Sequence, residues 1–316
     1  MERPVKHGED VSMIELDNGS YRARILPEHG GMIAALDWRG PGGQVVPLLH
    51  APEGARPGTG DTSKFGSWAM LPFANRAFDG IVDDGETRFV LPLDQAGNGP
   101  IHGYGWSSRW SVAEHEPTRL RLDHDREAGD GPYRYRAVQE IVLDGAGMTI
   151  ALSVTNRADR ALPFGLGHHP WFPCAPDTTL AMRNAGALIL GERYRATGGR
   201  AFSDGGPYAK PRLVAGGDET AWSFLGWDGT ARIETPSRGL AIVLTASESL
   251  RCPVVWAPAG ADFLCVEPQS HAIGSPSERA AREAAPMRNL QPGESLEGWL
   301  RIAAEPLSQR KAGGEA

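Results

Sequence analysis

The chain has 316 residues, a mass of 33.9 kDa, a formal net charge of -7 and a pI near 5.7. It is long enough to bury a sizeable core and carries no basic stripe of the kind that binds nucleic acid. Its 40 glycines and 25 prolines suit many short strands joined by turns, and its three cysteines, Cys174, Cys252 and Cys265, contain no CxxC pair that would imply a disulfide framework or a zinc knuckle.

The N-terminal stretch MERPVKHGEDVSMIEL lacks the apolar core of a signal peptide, and no window approaches the roughly 18 apolar residues of a membrane span. A cytoplasmic protein with no membrane partner is the expectation. Period-two alternation then dominates. SYRARIL (20–26), TRFVLPL (87–93), RWSVAEHE (109–116) and RLRLDHD (119–125) read as strands. In 133–156 two strand-like runs flank Asp144-Gly145-Ala146-Gly147, which is hairpin turn chemistry. Residues 231–247 repeat that plan around Pro236 to Gly239, and ESLEGWLRIAAE (294–305) reads as a closing strand. Helical periodicity is confined to 275–288, where Ser275 and Glu278 have the spacing of a capping box and Pro286 would end the helix. The pattern predicts an all-β fold with few short helices, a large antiparallel β sandwich. A single domain is expected over 1–316, with a frayed tail at 308–316.

Several motif-like stretches dissolve on inspection. Asp123, Asp125 and Glu127 have calcium-loop spacing, but Ala128 stands where that loop needs glycine and Arg134 where it needs glutamate. The segment reads as a solvated acidic loop. GTGDTSKFG (58–66) lacks the ending of a phosphate loop, and no GxSxG elbow is present.

Four stretches have the composition of a polar pocket. LPFANRAFDG (71–80) sets Asn75 and Arg76 among apolar residues, and GNGPIHGYGW (97–106) sets His102 in a glycine-rich loop. FGLGHHPWFP (164–173) holds adjacent imidazoles before Trp171 and Phe172. Neighbours in a strand face opposite ways, so only one of His168 and His169 need face a pocket. DFLCVEPQSHA (262–272) ends an apolar strand on Glu267, which is costly unless paired or at a rim. Taken singly, Arg76 reads equally as a surface charge, His102 as a turn residue and Glu267 as a strand-end cap.

In this order the pieces N-R, I-H-G, H-x-[YW]-F and C-V-E-P resemble the aldose 1-epimerase, or galactose mutarotase, family. The likeness runs from about Ile14 through GGMIAALDWRG to LQPGESLEGWLRI. It implies a β sandwich of the galactose mutarotase type with an open cleft. It also implies an isomerase that interconverts α and β anomers of free sugars without cofactor or metal. Carried over by position, Glu267 is the general base, His169 the general acid, and His102 assists at the ring oxygen. Arg76 and Asn75 would bind sugar hydroxyls, with aromatics such as Trp171, Phe172 and Trp106 covering the apolar ring face. His168 is assigned to support. The partner is a small-molecule sugar, and the protein is expected as a monomer or homodimer.

The chemistry agrees with that assignment. Opening a hemiacetal ring removes a proton from the anomeric hydroxyl and delivers one to the ring oxygen. Rotation about C1–C2 and reclosure then give the other anomer. One acid and one base suffice, contributing about 10² to 10⁴ in rate. The chain departs from the family pattern at Ala221, where an Asp commonly binds sugar hydroxyls; Asp218, nearby but out of register, is the candidate substrate-binding residue that would restore the contact. The chain departs again at Pro173, where Asn is usual. Substrates other than galactose, such as a pentose or a deoxy sugar, follow from those changes. Three alternatives compete. A hexose-6-phosphate 1-epimerase would need extra cations, for which Arg109 and Arg251 are available. The other two are a non-catalytic carbohydrate-binding protein and a glycosidase, and a glycosidase needs two facing carboxylates.

Overall fold

The alternating segments form strands because each exposes one face to a core and the other to water. In the computed structural model, which describes residues 13–52, 65–93, 99–127, 129–214 and 220–307, the segment Tyr135–Asp144 buries Tyr135, Ala137, Gln139, Ile141 and Leu143 while the residues between them are partly exposed. It pairs antiparallel with Gly147–Asn156, from Tyr135 opposite Asn156 to Asp144 opposite Gly147. The expected turn closes this hairpin, with the Ala146 N–H donating to Asp144 Oδ1 at 2.8 Å.

Two main sheets result. Ile14–Asp17, Tyr21–Leu26, Met32–Arg39 and Val45–Pro47 form a four-stranded meander, and a second sheet holds 13 strands. The path through the larger sheet starts at Trp171–Pro173 and passes through Phe263–Glu267, Val254–Ala257, Thr220–Thr235 and Leu240–Ala246. It continues through Ser295–Pro306 and the hairpin to Arg119–Arg126, and ends at Ser111–Glu116. A single buried cluster joins the sheets, drawing Tyr21, Ile25 and Leu36 from the smaller and Leu122, Tyr135, Ile150 and Ile302 from the larger. Gln139 locks them by donating its amide to the Gly31 carbonyl at 2.7 Å. The fold is therefore the antiparallel, sandwich-like class that the alternation predicts.

One local expectation fails and another holds only in part. The helix is only Arg279–Ala284, its N-cap is Glu278, and no side chain caps it. Ser275 Oγ instead accepts from the Met287 N–H, and the Glu278 carboxylate accepts from the Ala196 N–H and from Arg195. Tertiary partners have drawn both members of the capping box away. The acidic segment is only partly a loop: Asp123 and Asp125 lie in the strand Arg119–Arg126, as the alternation predicts, where Asp123 pairs with Arg136 at 2.6 Å, while residues 127 and 129–131 fall outside any strand. The expected tail at 308–316 lies outside the described residues.

Candidate active site

Sheet register builds one wall of the site. Trp171 is opposite Cys265, Cys265 opposite Trp256, and Trp256 opposite Ala221. Cross-strand partners share a face, and residues two apart along a strand share it too. Glu267 therefore joins this row beside Cys265. Continuing the antiparallel register from Trp171 and Cys265 brings His169 opposite Glu267, and the next step along, Gly167 opposite Gln269, is again paired. His169 Nε2 lies 3.5 Å from Glu267 Oε1.

Both members of the pair are buried, His169 at 6% and Glu267 at 3% exposure. Burial disfavours the charged form of each group. It pushes the Glu267 carboxyl up to about 8, against a smaller lowering by the Gln269 hydrogen bond. It pushes the His169 imidazole down to about 3. At neutral pH the pair thus shares one proton, as a carboxylic acid beside a neutral ring. Gln269 donates to Glu267 Oε2 at 3.1 Å, which holds Oε1 toward His169. The His169 ring is braced by Trp171, stacked at 5.3 Å and 10°, and by Trp68 at 4.3 Å.

The opposite wall is a loop clasp. The His102 N–H donates to the Asn75 carbonyl at 2.8 Å, and the Asn75 N–H returns a hydrogen bond to His102 Nδ1 at 3.1 Å. An accepting Nδ1 leaves the hydrogen of a neutral imidazole on Nε2. Burial, then His169, then Arg76 hold His102 well below the ordinary histidine range, so the ring is a neutral donor. Asn75 and His102 both adopt left-handed backbone, φ 58° and 60°, conformations that Asn and His tolerate better than most residues. Gly103 permits the close approach behind them, since a Cβ there would lie 2.2 Å from the Leu71 carbonyl oxygen. His271 anchors the same loop: its Nδ1–H donates to the Ala272 carbonyl, and its Nε2 accepts from the Ala74 N–H at 3.0 Å.

Between the walls is an open cleft. Asn75, Arg76, His102, His169 and Glu267 supply its polar groups, and Ile101, Leu190, Tyr194, Trp222, Val254, Trp256 and Ile273 its apolar surface, with Ala221 in the wall. A shallower cavity adjoins it across Leu190, Ala221 and Trp222 and reaches Arg200. Five of the residues singled out in the sequence thus line one cleft. Trp171 is a correction. It does not line the cleft but is covered by Phe263 at 4.6 Å and Trp256 at 5.8 Å, and it braces His169 from behind. Asp218 lies outside the described residues. His168 is buried and points away from the cleft lining, as the alternation requires. Sequence reasoning missed Trp222, Trp256, Trp68, Gln269 and His271. The aromatics read as ordinary strand core, and only Gln269 carried a usable signal, its spacing two residues from Glu267.

An antiparallel β sandwich whose cleft sets a carboxyl against an imidazole defines a galactose-mutarotase-like fold. Residues 12–303 match the aldose 1-epimerase family model, and the chain belongs to that family. The Escherichia coli (strain K12) protein YphB, itself uncharacterized, is 29% identical over 310 residues, covering 94% of this chain and 100% of its own. Among solved structures, a galactose mutarotase-like protein from Clostridium acetobutylicum aligns with TM-score 0.79 at 21% identity, covering 93% of this chain and 95% of its own. The GalM/aldose epimerase homologue from C. elegans aligns with TM-score 0.76 at 16% identity, covering 94% and 99%. At those identities the two structures show the shared fold. No helix among the described residues is long and apolar enough to cross a membrane.

Proposed function

We propose that the chain is an aldose 1-epimerase acting on a free aldose, with Glu267 and His169 as its proton-transfer pair. The observation that carries the reading is the 3.5 Å contact between Glu267 Oε1 and His169 Nε2 in the wall of the cleft. Moving the shared proton from the carboxyl to the imidazole creates a carboxylate base and an imidazolium acid without exchange with solvent. The carboxylate takes the O1 proton as the C1–O5 bond breaks and C1=O1 forms, and the imidazolium gives its proton to O5. Rotation about C1–C2 turns the other carbonyl face to O5. Reclosure then returns the O5 proton to His169 and the Glu267 proton to O1, so the pair is restored after each turnover. The neutral His102 Nε2–H and the Arg76 guanidinium supply donors to sugar oxygens. Trp222 and Trp256 offer apolar surface to the ring face.

The test is polarimetry on freshly dissolved pure anomers, with the spontaneous rate subtracted. Glu267→Gln preserves shape and removes the base, and it should lower kcat by at least about 10². Near-normal kcat in the folded variant would remove Glu267 from this role. A second reading has one observation in its favour. Arg109 and Arg251 do not line the cleft, but Arg200 does line the adjoining cavity, where it suits an aldose bearing a phosphate. A higher kcat/KM on glucose 6-phosphate than on glucose, reduced by Arg200→Gln, would favour that substrate.

A further inference from the structure

Cys265 has no part in the proton transfers, yet the sheet register sets it beside them. It occupies the strand Phe263–Glu267 two residues before Glu267, in the row between Trp171 and Trp256. One ligand atom each from Cys265, His169 and Glu267 lies within 4.8 Å of the other two. The thiol is fully buried, and no disulfide partner is within reach, since all three cysteines are free.

We propose that Cys265 Sγ, His169 Nε2 and Glu267 Oε1 form a binding site for a thiophilic divalent cation of the Zn²⁺ or Cd²⁺ class, whose occupancy blocks the cleft's proton transfers. Zinc sits about 2.3 Å from sulfur and about 2.0–2.2 Å from nitrogen or oxygen, which sets tetrahedral ligands roughly 3.3–3.7 Å apart. The His169–Glu267 separation of 3.5 Å already meets that span. The sulfur must close in by at most about 1 Å from the outer limit of its present distance to suit the same geometry. One thiolate, one imidazole and one carboxylate are a borderline-soft donor set that selects zinc and cadmium over magnesium and calcium, which prefer all-oxygen shells. Three protein ligands leave a fourth position, open to water or an anion on the cleft side. Binding displaces the thiol proton and the proton shared by His169 and Glu267, so two protons leave for each cation bound. The cation then holds the two atoms that must exchange protons with the sugar. This last step rests on the acid–base reading above, whereas the binding itself does not.

The two parts separate in one titration of the purified full chain with CdCl₂, without and then with sugar. Without sugar, an ultraviolet thiolate-to-cadmium band should rise to one equivalent. It should be absent in Cys265→Ala, retained in Cys174→Ala and Cys252→Ala, and absent when MgCl₂ replaces CdCl₂. His169→Asn keeps every thiol and removes one ligand, so its cadmium affinity should fall by at least about 10²-fold, the upper scale seen for supporting-shell losses. If Cys265→Ala fails to fold, His169→Asn carries the test alone. With sugar, mutarotation should fall in proportion to the band and return on chelation. A band that survives in Cys265→Ala, or an unchanged affinity in His169→Asn, overturns the site. A band of the expected behaviour with undiminished mutarotation upholds the cation site and removes His169 and Glu267 from the reaction.

Discussion

Acidification should weaken this fold well above the range where acid unfolding usually begins. The perturbation is a change from pH 7 to pH 5, and the groups that respond are buried imidazoles. Burial holds His168 and His271 at about 4 and His169 at about 3, while an unfolded chain restores each to about 6.5. Over this interval the unfolded state takes up protons that the fold refuses, so stability falls as pH falls. Each ring loses about 2 kcal/mol between pH 7 and pH 5, or roughly 5–6 kcal/mol for the three. Glu267 acts in the opposite sense. Its carboxyl, raised from 4.5 to about 8, holds a proton in the fold that the unfolded chain lacks, and it returns about 2–3 kcal/mol on the same descent. The net loss is about 3 kcal/mol, and His102, also lowered by burial, adds to it. That is a large share of the 5–15 kcal/mol typical of a folded domain. Urea unfolding followed by tryptophan fluorescence at pH 7, 6 and 5 reads the effect directly. His168→Asn should flatten the pH dependence by about 2 kcal/mol over the interval. A midpoint that stays constant or rises toward pH 5 would refute the claim that these rings are neutral and buried.

Three further outcomes follow. Because the pair works with one shared proton, kcat/KM should be level between about 3 and about 8, failing below when the pair gains a second proton and above when it loses its only one; an acidic limb near 6 with no alkaline limb would contradict the shared-proton state. Ala221→Asp places a carboxylate in the cleft wall, and a charge-assisted hydrogen bond of about 1.5–3 kcal/mol should lower KM for at least one aldose in a panel of galactose, glucose, arabinose and fucose by tenfold or more; unchanged KM for all four would mean that position does not meet the sugar. Gly165→Ala would set a Cβ 2.1 Å from the His271 ring and should cost about 1–3 kcal/mol, seen as a lower Tm, and an unshifted Tm would show that His271 is not locked in place.

The strands were legible because alternation and turn chemistry are local. The hairpin at 133–156 needed only Asp144 to Gly147 and the period-two pattern on either side. The polar residues of the cleft were legible for a different reason. Glu267 ends an apolar strand and Asn75 and Arg76 sit among apolar residues, where an unpartnered polar group is expensive, but it was the order and spacing of these pieces with I-H-G, through the family resemblance, that joined them to His102 in one site. Register was not legible. Nothing local to FGLGHHPWFP or DFLCVEPQSHA states that Trp171 meets Cys265, yet that one pairing brings His169 to Glu267. The aromatic lining was hidden by ambiguity, since Trp222 and Trp256 have the composition of any buried strand. Trp171 was misread because two-residue spacing from His169 gives a shared face but not which neighbours lie over it. Ser275 and Glu278 show the reverse case, where a sound local signal yielded to partners distant in sequence.

The two ends of the large sheet bear on how copies of this chain can meet. A bare strand edge is a template for another chain's backbone. At one end, Ser111–Glu116 is exposed at every position, but it bulges between Val112 and Glu114 and projects Glu114, His115 and Glu116. A kinked, charged border of this kind discourages a flat strand from docking. At the other end, Trp171–Pro173 is already capped from outside. Its Trp171 N–H donates to the Gly66 carbonyl, its Trp171 carbonyl accepts from the His50 N–H, and Pro173 has no N–H to offer. At these two ends, among the described residues, the ladder does not run on from one molecule into the next. Self-association through either of these two borders has to be made by side chains meeting face to face, which leaves the cleft-bearing end of the sheet with no backbone pairing to draw a second copy across its mouth.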